Sequence, residues 1–369
     1  MKRFFLKAVA AVTAAALFFP IQVKGISAEK AIVMDAVSGR VLYAHHADSR
    51  SLIASTTKIM TAYIICRRCN VLDRVRIPKE AVGIEGSSLY LREGEVLTVQ
   101  ELLYGLMLHS GNDAAVALAI YCAGTVEGFV DLMNEYAVAL GLNNSHFSNP
   151  HGLDATDHYS TAEDLAMLAI EAMKDPIFAM TVSTKTVSAG ERAFRNHNKL
   201  LWQLQGAEGV KTGYTKAAGR ILVSSVSRNG RRLVAVTINA PDDWVDHAVL
   251  MDRAFRDYRV KRIISSGEVL GVVEVSGGEA GAVELISSSE FLYSLSDEDQ
   301  VSVELPGLGF VYAPVCSGQY AGEAKVCVNG TQVGSVPLVF GQTIEQLPEE
   351  RESVIQKIYH RLFGEVMSK

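Results

Sequence analysis

Leu52-Ile53-Ala54-Ser55-Thr56-Thr57-Lys58-Ile59-Met60-Thr61-Ala62 carries a hydroxyl at 55, an amine at 58 and apolar residues at 59, 60, 63 and 64. That pattern predicts the opening turn of a buried helix. Residues i and i+3 lie one turn apart on the same face, so a serine and a lysine at this spacing can share a proton. By itself the tetrapeptide Ser55–Lys58 is short enough to arise by chance, and serine is a common helix cap. The other parts of a serine active site have to come from elsewhere in the chain.

A second polar element interrupts an apolar region. Thr98-Val99-Gln100-Glu101 reads as a capping box, followed by Leu102, Leu103, Leu106 and Met107 at helical spacing. The run reaches His109-Ser110-Gly111-Asn112-Asp113 and resumes as Ala114 to Cys122, which places Ser110 and Asn112 on a break between two buried helices. Further on, Lys211-Thr212-Gly213-Tyr214 precedes two strands, Ile221–Val226 and Arg232–Ile238, joined by the hairpin turn Asn229-Gly230. The lysine segment itself reads as a possible edge strand. Ala31–Asp35 and Val41–Tyr43 form another hairpin around Ser38-Gly39, Glu127–Leu140 is a helix, Ser160-Thr161-Ala162-Glu163 is a second capping box, and a helix covers Asp246–Tyr258.

The chain has 369 residues, 49% hydrophobic and 21% charged, enough for two globular domains with appendages. A formal charge of −6 and the absence of a phosphate-cradling glycine loop argue against nucleic acid as a partner. A basic start (Lys2, Arg3, Lys7), an apolar run from Ala8 to Phe19 and small residues at Gly25, Ser27 and Ala28 read as a secretory leader cut after Ser27 or Ala28. Five cysteines leave at least one unpaired. Cys66 and Cys69 read as small buried residues rather than a redox motif, and a pairing of Cys316 with Cys327 stays open. Composition shifts near Ser265 to short Val-rich runs without helical period, as in a small antiparallel β domain. The end changes again: Val354, Ile355, Ile358, Tyr359, Leu362, Phe363, Val366 and Met367 form an apolar stripe beside basic residues.

Ser55 with Lys58, Ser110 with Asn112, and Lys211-Thr212-Gly213, in that order, match the signature shared by penicillin-binding proteins and class A β-lactamases. With Phe147–Asp154, Ser160–Ala166, Tyr312–Gly318 and Pro337–Val339, the chain resembles the low-molecular-mass penicillin-binding proteins that are serine D-alanyl-D-alanine carboxypeptidases. The resemblance implies an α+β fold of the penicillin-binding-protein/β-lactamase-like transpeptidase type plus a C-terminal all-β domain. It implies the organisation 1–28 leader, 29–262 catalytic domain, 266–343 β domain and 344–369 amphipathic membrane-associating helix. The enzyme would sit on the extracytoplasmic face of the bacterial cytoplasmic membrane.

For the site, the resemblance implies Ser55 as nucleophile, Lys58 as its base and Ser110 as a proton relay. Asn112 would hold the substrate amide, Lys211 and Thr212 the terminal carboxylate, and Gly213 would let the strand approach the bound peptide. The backbone amides of Ser55 and Tyr214 would form the oxyanion hole. The substrate would be a peptidoglycan pentapeptide ending in D-Ala-D-Ala, β-lactams would acylate the same serine, and no cofactor or metal is called for. One departure stands out: where family members often carry a carboxylate-binding arginine, Ala240-Pro241-Asp242-Asp243-Trp244-Val245-Asp246-His247 has none. Trp244 and His247 are read there as packing and helix-start residues.

Rival readings are a β-lactamase, a metallopeptidase and a non-catalytic sensor of β-lactams or wall peptides. Gly111 between Ser110 and Asn112, and the lack of a Glu-x-x-Leu-Asn segment, count against the first. For the second, His146, His151, Asp154, Asp157 and His158 crowd together without helical ligand spacing. The third differs from the enzyme only in the fate of the acyl group.

Overall fold

The computed structural model describes residues 25–348. Most of the leader and the amphipathic stretch Glu349–Lys369 lie outside the described residues. Two compact units emerge, the first running to Val260 and including Tyr293–Asp297, the second comprising Lys261–Leu292 and the chain from Glu298 onward. The switch near residue 260 follows the composition shift, but the short return of Tyr293–Asp297 to the first unit leaves no mark in the sequence.

The first unit opens with β1 (Lys30–Asp35), β2 (Val41–His45), a 3₁₀ turn (Ala54–Thr57), α1 (Lys58–Arg68) and a small hairpin, β3 (Arg74–Arg76) with β4 (Val96–Thr98). Helices α2 (Val99–Leu108), α3 (Asn112–Ala123), α4 (Val126–Ala139), α5 (Ala162–Ala172) and α6 (Pro176–Ser183) follow, then the hairpin β5 (Thr186–Ala189) and β6 (Arg192–Arg195) and one turn of helix, α7 (Leu200–Gln203). The unit closes with β7 (Ala207–Thr215), β8 (Gly219–Arg228), β9 (Arg231–Ile238) and α8 (Asp243–Asp257). Its main sheet is antiparallel with strand order β2-β1-β9-β8-β7.

Alternation along these strands explains why the sheet has helices on both faces. In a strand, successive side chains point to opposite sides. Ile32, Met34, Val234, Val236 and Ile238 join the core formed with α1 to α6, while Ala31, Val33, Leu233 and Ala235 join the core under α8. With both faces covered, the central strands read as nearly continuous apolar runs, interrupted only by the buried Ser224 and Ser225 in β8 and Thr237 in β9. The order also leaves β7 at an edge, where one set of its backbone groups is not used by the sheet.

Helix α2 starts at the expected capping box, Thr98 and Glu101 bonding each other's backbone N–H. Leu102, Leu103 and Leu106 are fully buried, each stabilising the fold by roughly 1.5–3 kcal/mol. Helix α3 is alanine-rich and buried over Asn112–Ala119, so it packs closely on α1 and α2. The second capping box is displaced by one residue: Thr161, not Ser160, caps α5 by accepting from Asp164 N–H. Ser160 instead pairs with Ser145, and the Asp164 carboxylate accepts from Asn144 and Ser145. Ser27, at the expected end of the leader, bonds Asp246 through both its N–H and its hydroxyl.

The second unit carries β10 (Arg259–Ile264), which begins at its boundary, then β11 (Val269–Ser276), β12 (Ala282–Ser287) and β13 (Phe291–Leu295), the last reaching into the first unit. Strands β14 (Val301–Glu304), β15 (Phe310–Tyr312), β16 (Tyr320–Val328) and β17 (Thr331–Phe340) complete it. A six-stranded sheet, β14-β16-β17-β12-β11-β15, buries Val273, Leu285, Val326 and Leu338 on one face. One pairing departs from the antiparallel expectation, since β15 runs parallel to β11. Among the described residues no single helix is long and apolar enough to cross a membrane.

Candidate active site

Ser55 lies in the 3₁₀ turn just before α1, and Lys58 is the first residue of that helix. The predicted shared face is therefore real: Lys58 Nζ is 3.0 Å from Ser55 Oγ. Lys58 is fully buried, and its remaining partners are the Asn112 side-chain oxygen at 2.7 Å and the His151 carbonyl at 2.5 Å. Burial first, and then the neighbouring Lys211 charge, push its pKa well below the ordinary lysine value, against a smaller pull from Asp113. A neutral amine has two hydrogens and one lone pair. The two carbonyl oxygens can only accept, so the hydrogens go to them and the lone pair faces the Ser55 hydroxyl.

The second motif sits on the turn from α2 to α3. Ser110 is nearly buried with φ +67°, and Ala54, next to Ser55, has φ +45°. Both are left-handed conformations that a non-glycine residue adopts at a cost of about 1–3 kcal/mol. Asn112, expected to hold a substrate amide, has its own amide engaged at both ends, accepting from Lys58 and donating to the Glu85 carbonyl. In this structure it holds the Lys58 amine. Asp113, in sequence only a helix-capping residue, does more in the fold. Its carboxylate accepts from Ser88 Oγ and from the N–H groups of Leu89 and Leu91, tying that loop to the start of α3. Between them, a Cβ at Gly111 would meet Leu89 Cγ and Asp113 Oδ1 at 2.9 Å. An aspartate there, as in class A β-lactamases, would collide with both.

The third motif lies on edge strand β7, alongside the 3₁₀ turn. Lys211 is buried, donates to the Thr212 carbonyl at 2.8 Å and is lowered by burial to about 7. Gly213 serves a closer neighbour than a bound peptide: a Cβ there would lie 3.3 Å from Ala54 Cβ, Ile53 O and Ser55 N. The absent side chain lets β7 press against the turn that carries Ser55, and Ser55 and Tyr214 line one cleft. That cleft, about 340 Å³, is lined by Ser55, Ser110, Thr212, Tyr214, His197 and Lys199.

Arg220 and Trp244 line it too. Arg220 stands opposite Tyr214 in the β7–β8 register. Its Nη2 donates to both oxygens of the buried Asp243 carboxylate at 2.7 and 3.0 Å, and its guanidinium carbon is 5.8 Å from the Trp244 ring centre. An arginine is thus present, on β8 and not downstream of β9, where the family resemblance places one. Trp244 faces the cleft rather than only packing. His247 is a core residue, held between Ser224 Oγ and Thr237 Oγ1 and kept neutral by burial at about 3.

The loop from Ser148 to His158 supplies what local sequence could not reveal. Gly152 (φ +90°) approaches so near that a Cβ would overlap the Ala54 carbonyl. His158 bonds Thr57 Oγ1 at 2.7 Å and accepts from Ser148 N–H, while Asp154 accepts from Thr215 Oγ1. These residues, grouped in the metallopeptidase reading, are directed to separate partners around the 3₁₀ turn. No group of three or more metal-ligating side chains converges among the described residues.

A family model described as D-alanyl-D-alanine carboxypeptidase matches residues 18–242, and one for the C-terminal domain of penicillin-binding protein 5 matches residues 258–346. The chain is 32% identical over 327 residues to the D-alanyl-D-alanine carboxypeptidase DacF of Bacillus subtilis, covering 84% of each. It is 31% identical over 356 residues to DacC of Escherichia coli, covering 88% of this chain and 86% of that one. The crystal structure of penicillin binding protein 5 from Haemophilus influenzae superposes with a TM-score of 0.76 at 29% identity, covering 87% of this chain and 98% of that one.

Proposed function

The chain belongs to the D-alanyl-D-alanine carboxypeptidase family, and we propose that it removes the terminal D-alanine from peptidoglycan stem peptides through an acyl-enzyme on Ser55. It is a serine D-Ala-D-Ala carboxypeptidase of the cell wall. The observation that carries the covalent mechanism is the Lys58 amine 3.0 Å from Ser55 Oγ, with carbonyl oxygens as its other partners.

Ser55 Oγ attacks the penultimate carbonyl as its proton passes to neutral Lys58. The oxyanion is met by the backbone N–H groups of Ser55 and Tyr214. Ser110 relays the proton to the leaving amine, D-alanine departs, and water attacks the ester with Lys58 again as base. A β-lactam forms the same ester and, lacking a departing group, leaves slowly. Purified protein should therefore release D-alanine from a peptide ending in D-Ala-D-Ala and carry a fluorescent penicillin on one serine. Labelling with no D-alanine released would assign the chain to the sensor reading instead.

The substrate carboxylate falls to Thr212, Lys211 and Arg220. Lys211 is buried and lowered to about 7, so it is a partial cation at neutral pH, whereas the arginine is always charged. Its side chain is 43% exposed and already anchored on Asp243. Arg220→Ala is expected to lower kcat/KM for the peptide by about 10- to 100-fold, the range for one charge-assisted hydrogen bond, chiefly through KM. Asp243→Asn, which keeps the arginine but loosens its anchor, should cost less. An unchanged KM in Arg220→Ala would return the carboxylate to Lys211 and Thr212 alone.

The apolar stripe of Glu349–Lys369 supports a seat in the membrane surface after export, with basic residues at the headgroups. Deleting those residues should move the protein from the membrane pellet to the supernatant without changing its turnover. Sedimentation with membranes after the deletion would rule that out.

A further inference from the structure

Sequence spacing directs attention to Cys66 with Cys69 and to Cys316 with Cys327, but the fold makes a different pair. Cys69 is the residue that ends α1, its N–H bonded to the Ile65 carbonyl, and Cys122 is the penultimate residue of α3. The two helices pack side by side, and Tyr121 Oη donates to Asp73 at 2.7 Å, tying the end of α3 to the turn after α1. Both thiols are half-buried, at the matching C-terminal ends of two helices whose first residues, Lys58 and Asn112, are bonded at 2.7 Å, and each is near enough to shift the other's pKa. Cys66 faces the core and Cys316 is exposed.

We propose that Cys69 and Cys122 form a disulfide that staples the far ends of α1 and α3 once the chain meets a disulfide donor. The chemistry favours Cys122 as the attacking sulfur. The neighbouring Cys69 thiol and then the Arg68 charge lower Cys122 to about 7, while Cys69 is raised. The Cys122 thiolate attacks one sulfur of the donor, whose S–S bond breaks and whose thiolate leaves. Cys69, its proton passed to that leaving thiolate, then attacks the Cys122 sulfur and expels the second donor thiolate, which takes a proton from solvent. Two protein thiols are oxidised by two electrons, and one donor disulfide becomes two thiols. In vitro the donor is oxidised glutathione. In the cell it would be an extracytoplasmic dithiol oxidase in its disulfide form.

The near ends of the same helices carry Lys58 and Asn112, bonded at 2.7 Å. A link at the far ends, about 16 Å away along α1, would hold the helices in register without touching the site. It would close a loop of roughly 50 residues in the unfolded chain.

Full-length protein is equilibrated with oxidised and reduced glutathione, denatured and titrated for thiols, then digested without reduction. Three reactive thiols and a linked peptide pair containing Cys69 and Cys122 are expected, with reduction restoring five. Dithiothreitol should lower the melting temperature of the oxidised protein by about 5–10 °C, and it should not shift that of Cys69→Ala or Cys122→Ala. D-Alanine release at 25 °C should change less than about twofold on reduction, since the staple lies far from Ser55. Five thiols after equilibration, or a link through Cys66, Cys316 or Cys327, would overturn the proposal, and so would an equal dithiothreitol shift in both alanine variants. The thiol count on unaltered protein decides the matter even if a variant fails to fold.

Discussion

Ser55→Ala is expected to release D-alanine from a D-Ala-D-Ala peptide at least about 10⁴-fold more slowly than the unaltered protein and to take up no penicillin label. The hydroxyl is the atom that forms the ester, and no neighbour replaces it. Ser110 is the nearest rival, but it sits nearly buried in the cleft wall, and among the described residues no lysine is bonded to it as Lys58 is to Ser55 at 3.0 Å. Loss of one half-buried hydroxyl leaves Lys58 its bonds to Asn112 and His151, so the variant should melt within a few degrees of the parent. Folding and chemistry are thereby separated. A Ser55→Ala protein that still carries a stoichiometric penicillin label, mapped by digestion to Ser110, would transfer the nucleophile to that residue.

How much of this was legible in the sequence depends on distance along the chain. Ser55 and Lys58 are local, three residues apart on a helix start, and the capping box at Thr98 and the Asn229-Gly230 hairpin are local as well. The helix break at Ser110 was legible because polar residues interrupted an apolar period. Contacts that need the tertiary fold were not. His151 offers Lys58 a main-chain oxygen, which no side-chain pattern records. The Cys69–Cys122 pair joins two helix ends 53 positions apart, whereas sequence spacing favours neighbours. Arg220 carries no local signal, since β8 reads only as a strand and register with β7 is what brings its side chain to the cleft. The motif explains Gly213 by room for a bound peptide, and only the fold reveals that the turn carrying Ser55 lies against it as well. Asn112 shows the same limit: the motif marks the residue, but only the geometry reveals that its amide is occupied by Lys58 and Glu85.

Lys58→Arg should lose about 10²–10⁴-fold in turnover although it keeps a long, nitrogen-tipped side chain in place. The reason is the protonation state. A guanidinium stays protonated throughout the working range, so it has no lone pair for the Ser55 proton, and the larger group must also fit a fully buried position. In the unaltered protein Lys58 is held down by burial and by Lys211, while Lys211 is held down by burial alone. The reactive state has Lys58 neutral and Lys211 charged. Activity must therefore rise with pH as Lys58 loses its proton, and fall with pH as Lys211 loses its own, at about 7 in the free enzyme. That falling limb belongs to kcat/KM, which reports the free enzyme. A bound carboxylate favours the charged lysine and raises its pKa, so the falling limb of kcat should lie at higher pH than that of kcat/KM. Steady-state rates across pH separate the two profiles. A profile flat from about pH 5 to 9, or more than about a tenth of the activity retained by Lys58→Arg, would show that some other group takes the serine proton.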